Sequence, residues 1–167
     1  MALPAFCPSC GHAVRVTGPS IGRCSGCARE VYANSRPTAG VLLVRGDRVL
    51  LIRRGAEPEV GKWDIPGGFL EEGEIPEDGA CREIREELGL DLEPSALRLM
   101  GVSINRRRDF AVLDVLYEAP MPDGELRAGS DAESYAWFPI DDLPDDIAFE
   151  ASRQALERWR ARRRDGR

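Results

Sequence analysis

A chain of 167 residues has room for one domain of ordinary size and a small appendage. Its net charge of −6, with arginine as the basic residue everywhere except Lys62, argues against a general binder of nucleic acid or anionic membrane, though a local anion site is compatible with it. No run approaches the ~20 consecutive apolar residues of a membrane span, and the opening Met-Ala-Leu-Pro-Ala-Phe lacks the regions of a signal peptide, so a cytoplasmic protein is expected.

The first feature is a pair of knuckles, Cys7-Pro-Ser-Cys10 and Cys24-Ser-Gly-Cys27, thirteen residues apart. In a reducing compartment such pairs point to metal before disulfide, and four thiolates suit tetrahedral Zn²⁺. A unit of about 30 residues cannot bury enough apolar surface to fold alone. Structural zinc on Cys7, Cys10, Cys24 and Cys27 would supply what is missing, roughly 10–16 kcal/mol in apparent terms. The alternative, a redox dithiol, needs one such pair near a βαβ unit rather than two flanking a short loop. Four cysteines close the shell, which leaves His12 a surface residue. The fifth cysteine, Cys81, is read as a small packed hydrophobe.

After a polar link over residues 32–37, a second domain is expected, giving a zinc ribbon over 1–34 and a larger domain over 35–167. Residues 38–44 and 48–54 are β-rich runs separated by Arg45-Gly46-Asp47, a hairpin signal. Residues 55–61 read as a loop and 62–66 as a short strand leading into a glycine-rich loop. A helix over 76–88 follows: Pro76 suits its first turn, Glu77 and Asp78 its positive pole, and Gly89 its end.

On that helix Ala80, Ile84 and Leu88 share one stripe, and Glu83, Glu86 and Glu87 fall on the next. Like charges at three- and four-residue spacing repel by a few tenths of a kcal/mol per pair, so something positive must answer them. Arg82 and Arg85 on a solvated face are one answer. A hard cation, Mg²⁺ or Mn²⁺, is the other: it selects carboxylates and backbone carbonyls, and Gly67-Gly68 offers a carbonyl that an ion can approach closely.

Downstream, residues 97–104 and 109–117 read as strands joined by the basic turn 105–108. A loop over 120–130, a strand over 133–138 and a helix over 148–164 complete the chain. Phe149, Leu156 and Trp159 give the helix an apolar face, and the Arg162-Arg163-Arg164 run is read as its solvated end. Strands interrupted by one helix and closed by another imply an α/β fold, a mixed sheet with helices on both faces.

Gly68, five residues, Glu74, seven residues, Arg82-Glu83-Ile84, one residue, Glu86-Glu87, one residue, Gly89-Leu90 resembles an unbroken Nudix box. Trp137-Phe138-Pro139 followed by Asp141-Asp142-Leu143-Pro144 is also similar to that family, and the ribbon resembles the one preceding the Nudix domain in NADH-pyrophosphatase-like members. The resemblance implies an α/β/α Nudix sandwich and hydrolysis of a nucleoside diphosphate linked to another group. It further implies catalytic Mg²⁺ or Mn²⁺ on Gly68, Glu83, Glu86 and Glu87, one glutamate also acting as base. Arg82 and Glu74 would position these groups, and Glu133 is the candidate for a base from elsewhere in the fold. Arg53, Arg54 and the turn at Arg106 to Arg108 could grip phosphate, since guanidinium forks suit it. Trp63 and Phe69 are read as packing, with stacking on a base as the alternative.

Substrate choice is less marked. The motif of NADH pyrophosphatases, similar to Ser-Gln-Pro-Trp-Pro-Phe-Pro, is absent after Leu90. The downstream proline of many ADP-ribose pyrophosphatases is replaced by Asn105 and Arg106, and the tyrosine of the diadenosine-polyphosphate group is not evident. ADP-ribose or a related nucleotide sugar is the first expectation by fold analogy, with house-cleaning nucleoside triphosphates or NADH as the alternative. A ligand-binding or regulatory Nudix-like module is the alternative of another class. A small nucleotide is the expected partner, nucleic acid and membrane are not, and a homodimer is compatible with the sequence.

Overall fold

In the computed structural model, which describes residues 3–107, 110–129 and 132–165, the cysteine segment builds its own sheet. Strands β1 (Val14–Gly18), β2 (Ile21–Cys24) and β3 (Glu30–Tyr32) pair antiparallel in that order. Apart from Cys7, Cys24 and Gly22, Val31 is the only buried residue among those described up to Tyr32. Phe6 and Val16 lie in solvent.

The rest of the chain forms a seven-stranded sheet. Its first hairpin is the expected one: β4 (Arg36–Arg45) and β5 (Arg48–Arg54) close with Arg45 opposite Arg48, and Gly46 supplies the positive φ of the turn. The short β6 (Trp63–Asp64) pairs with β5, and β7 (Gly67–Phe69) with β4. Helix α1 (Pro76–Leu88) and one 3₁₀ turn (Pro94–Ala96) lead to β8 (Arg98–Arg106), β9 (Ala111–Pro120), β10 (Ala132–Pro139) and α2 (Glu150–Arg164). The path across the sheet is β10-β5-β4-β9-β8. The β4–β9 pair is parallel and the others antiparallel, so the sheet is mixed, as expected.

Strand β4 sits at the centre and is apolar without alternation because both of its faces are covered. Val41 and Leu43 pack toward Ala80, Ile84 and Leu88 of α1, and Leu42 toward Ala155, Leu156 and Trp159 of α2. Leu42, Leu43, Leu50 and Leu51 are fully buried, each contributing roughly 1.5–3 kcal/mol by leaving water. Cys81 is buried beside the α1 stripe, as read from the sequence.

Four expectations change. Asn105 and Arg106, expected in the basic turn, are the last two residues of β8, paired with Val112 and Ala111 of β9. The start of the glycine-rich loop is strand β7, because β4 presents it an edge. The last helix begins at Glu150. Its arginines are not simply a solvated end: buried Trp159 brings the following turn down on the sheet, where Arg162 and Arg163 join Arg98 around Glu118, at 3.6, 3.4 and 2.5 Å. A carboxylate that buried needs such partners. Arg108, Asp109 and Ser130, at the ends of the expected basic turn, second strand pair and loop, lie outside the described residues. Among the described residues no helix is long and apolar enough to cross a membrane.

Candidate active site and cysteine centre

Helix α1 spans the expected residues, but it places its three glutamates in three environments. Glu87 is buried, Glu83 half-buried and Glu86 exposed. Gly67 N–H donates to Glu87 Oε2 at 2.9 Å. Burial nevertheless pushes the Glu87 carboxyl up to about 8, and the charges of Glu83 and Asp64 push the same way. Glu83 is also raised, by burial first, against the pull of Arg82.

Arg82 organises the cluster. Its Nε and Nη2 clamp both oxygens of Glu74 at 2.8 and 3.0 Å, and its Nη1 reaches Glu83 at 2.7 Å and Glu86 at 3.2 Å. Nη2 also donates to the Phe69 carbonyl at 3.0 Å. This bidentate clamp holds the Glu74 carboxyl down at about 2. Arg82 and Glu74, expected to position the glutamates, are thus in contact with each other, and Arg82 with Glu83 and Glu86.

The two glycines are required sterically. A Cβ on Gly68 would stand 2.5–2.6 Å from the Glu83 carboxylate, and one on Gly67, at φ +149°, would run into the Ala39 backbone. An all-oxygen set of crowded carboxylates against a bare glycine backbone fits Mg²⁺ or Mn²⁺ chemically. Among the described residues, however, only the cysteines converge: Cys7, Cys10, Cys24 and Cys27 bring their sulfurs within 4.8 Å of one another.

That quartet fits zinc. Backbone N–H groups of Gly26 and Cys27 point at Cys24 Sγ, at 3.4 and 3.5 Å, and the latter leads in holding that thiol down at about 6. The Ser9 N–H lowers Cys7 in the same way. His12 is exposed, with Nδ1 on the Cys10 carbonyl, in line with its reading as a surface residue.

The remaining expected residues are dispersed. Arg54 is occupied, ion-paired to Asp64 at 3.3 Å, donating to the Pro58 carbonyl at 2.8 Å and lying over the Phe149 ring. Arg53 is exposed beside Trp63, and Arg106 is exposed at the end of β8. Arg107 lies 4.0 Å over Phe149. Glu133 is exposed at an irregularity of β10, between the partners of Arg54 and Arg53, and has no hydrogen bond or ion pair among the described residues. Trp63 packs edge-on against Phe138 at 4.9 Å, as expected. Phe69 does not fit the packing reading, because it is 50% exposed.

Asp64 is a further buried acid, outside the expected site residues. It takes the Ser152 hydroxyl at 2.6 Å and the Ile65 N–H at 2.9 Å, and burial raises its carboxyl. Its signal is an acid inside the short apolar run Trp-Asp-Ile-Pro.

Residues 34–159 match the family model of the NUDIX domain. An ADP-ribose pyrophosphatase of Methanocaldococcus jannaschii is 34% identical over 123 residues, 72% of this chain and 71% of that protein. A NAD-capped RNA hydrolase NudC of Stutzerimonas stutzeri is 31% identical over 162 residues, 95% of this chain but 56% of that longer protein. Among solved structures, a NUDIX hydrolase from Nitrosomonas europaea superposes with a TM-score of 0.80 at 26% identity, covering 98% of this chain and 94% of the other. The NUDIX domain of Shewanella oneidensis NrtR complexed with ADP ribose gives 0.65, also at 26% identity, covering 80% and 90%.

Proposed function

Since this chain belongs to the NUDIX family of hydrolases acting on pyrophosphate bonds, we propose that it cleaves ADP-ribose or a related nucleotide sugar at the box of β7 and α1. The observation that carries this is the network in which Arg82 ties Glu74, Glu83 and Glu86 to β7 while Gly67 holds Glu87. The family generally uses a divalent metal, and here Glu83, Glu86, Glu87 and the Gly68 carbonyl would hold Mg²⁺ or Mn²⁺. Bound there, the ion supplies charge neutralisation and an acidified water.

The chain's own residues do the positioning. Glu74 fixes the Arg82 guanidinium, and Arg82 in turn limits the rotamers of Glu83 and Glu86. One box glutamate would also act as base, and Glu87, the most buried of the three and fixed by the Gly67 N–H, is the candidate. Glu133 is the second candidate for a base, and Arg53 and Arg106, both exposed, are candidates for phosphate contact. Residues 1–34 are read as a zinc ribbon on Cys7, Cys10, Cys24 and Cys27, with 35–167 as the hydrolase domain. A cytoplasmic setting and a small-nucleotide partner belong to the same reading.

The ribbon favours a second substrate, NADH or another NAD-type dinucleotide, because the NudC relative aligns over 95% of this chain. A Mg²⁺-dependent hydrolysis screen over ADP-ribose, NADH, nucleotide sugars, dinucleoside polyphosphates and nucleoside triphosphates decides between them. Turnover highest on ADP-ribose or a nucleotide sugar is expected. No hydrolysis of any of these would leave a binding module as the reading.

A further inference from the structure

At the open end of β4, on the sheet face turned away from the glutamates, lies a group of side chains that the chemistry above does not use. Cross-strand neighbours share a face. One row runs Phe69, Thr38, Asp114, and the next Arg36, Val112, Asn105. Strand alternation turns Gly68 toward Glu83 and Phe69 to this opposite face. The Phe69 ring is half exposed, 6.5 Å from the half-buried Phe110 ring and tilted 52° from it, and the Arg36 guanidinium lies 4.3 Å over Phe110.

Beside the rings, the Thr38 hydroxyl donates to Asp114 Oδ1 at 2.6 Å and Asn105 Nδ2 donates to Asp114 Oδ2. A carboxylate only accepts, so both donors are fixed in orientation. The Asn105 carbonyl oxygen and the remaining lone pairs of Asp114 are left as acceptors. An exposed aromatic surface beside an acceptor-lined edge matches a flat heterocycle carrying an amino group.

We propose that Phe69, Phe110 and Arg36 seat the nucleobase of the substrate and that Asp114 with Asn105 reads its exocyclic amine, so that adenine is taken in preference to hypoxanthine. The proposal rests on the nucleotide reading of the box and names what that reading leaves open. Seat and box are joined by one peptide unit: Phe69 follows Gly68, and its carbonyl is held by the same Arg82 that holds Glu83 and Glu86. A base stacked on Phe69 directs its ribose phosphate around the edge of β7 toward the glutamates. Hypoxanthine sets a carbonyl oxygen where adenine has its amine, facing acceptors with an acceptor.

The test is calorimetric titration of the full chain with AMP and with IMP, neither of which has a diphosphate to cleave. Wild type should bind AMP about tenfold more tightly than IMP. Asp114→Asn should bring that ratio below about twofold, and Phe69→Ala, at an exposed position that leaves the fold alone, should weaken both nucleotides about tenfold. Equal affinity for AMP and IMP, no binding of either, or unchanged behaviour of both variants overturns the seat. The two readings fail separately. A blank hydrolysis screen with the AMP preference intact removes the substrate reading and keeps the seat, whereas ADP-ribose and IDP-ribose cleaved with equal kcat/KM keep the reaction and remove the seat.

Discussion

Cys7, Cys10, Cys24 and Cys27 bring four sulfurs within 4.8 Å in a segment where Val31 is the only buried aliphatic side chain among the described residues, whereas Glu83 and Glu86 meet Arg82 and Glu87 meets the Gly67 N–H on a helix packed against a sheet buried on both faces. In the first region a metal held by the four sulfurs would substitute for a core. In the second, a core of two clusters backs the helix that carries the carboxylates, and burial raises the Glu87 carboxyl to about 8. A closed thiolate set suits a structural ion, and an open oxygen set suits an ion that must also meet substrate. Stability and chemistry should therefore fail independently in the two regions.

The largest effect is expected at the glutamates. Glu86→Gln and Glu87→Gln keep the side-chain shape and remove charge, and each should lower Mg²⁺-dependent turnover by at least about a hundredfold. Circular dichroism should be unchanged, and near-normal turnover of both variants at saturating Mg²⁺ would make the cluster structural. Next in size is the converse experiment. Cys7→Ser with Cys10→Ser should abolish zinc binding and expose the amides of residues 14–32 to hydrogen exchange while residues 36–165 stay protected. A global loss of protection would show that the two regions fold as one unit.

The contrast also governs what could be read from sequence. Helix α1 was legible to the residue because its signals are local: Pro76 at its start, Gly89 at its end, and a stripe of Ala80, Ile84 and Leu88. The hairpin at Gly46 and the cysteine quartet were legible for the same reason. Strand β7 was not, since Gly67, Gly68 and Phe69 carry no strand pattern and become a strand only against the edge of β4. Asp64 and Ser152 are 88 residues apart, and Glu118 draws its arginines from β8 and α2, so both sites depend on tertiary contacts that no periodicity announces. Nothing in the sequence around Phe69 separates packing from stacking, and only the fold shows it half exposed.

A smaller, pH-dependent effect follows from Glu87. Its native carboxyl titrates at about 8, above its ordinary value, so between those two values the native state binds more protons than the unfolded chain. Stability without added Mg²⁺ should fall as pH rises through that window, by on the order of 3 kcal/mol for this group. Glu83 and Asp64, both raised by burial, act in the same direction, whereas Glu74, held at about 2, affects only the acid side. Denaturant melts at pH 5, 6.5 and 8 check this, and Glu87→Gln should flatten the dependence. An equal slope in the variant would move its origin away from the box.

The smallest effects belong to the arginines, where exposure sets the scale. Arg106 is exposed and has no ion pair among the described residues, so an anion that meets it gains a screened contact of about 0.2–1 kcal/mol. Arg106→Ala should raise KM for the cleaved substrate about two- to fivefold and leave kcat unchanged, because contact with a non-reacting phosphate is felt equally in ground and transition states. The increase should fade as salt rises, the field of an exposed charge being screened over about 8 Å at physiological ionic strength. Arg107 offers the internal control. It already lies over Phe149, which Arg54 covers as well, so Arg107→Ala should cost about 0.5–1 kcal/mol of stability through that lost contact. If KM is unchanged in Arg106→Ala at low salt, the turn is solvated surface, and the phosphate contact passes to Arg53, which is exposed beside Trp63 on the strand that also holds Arg54 against Asp64.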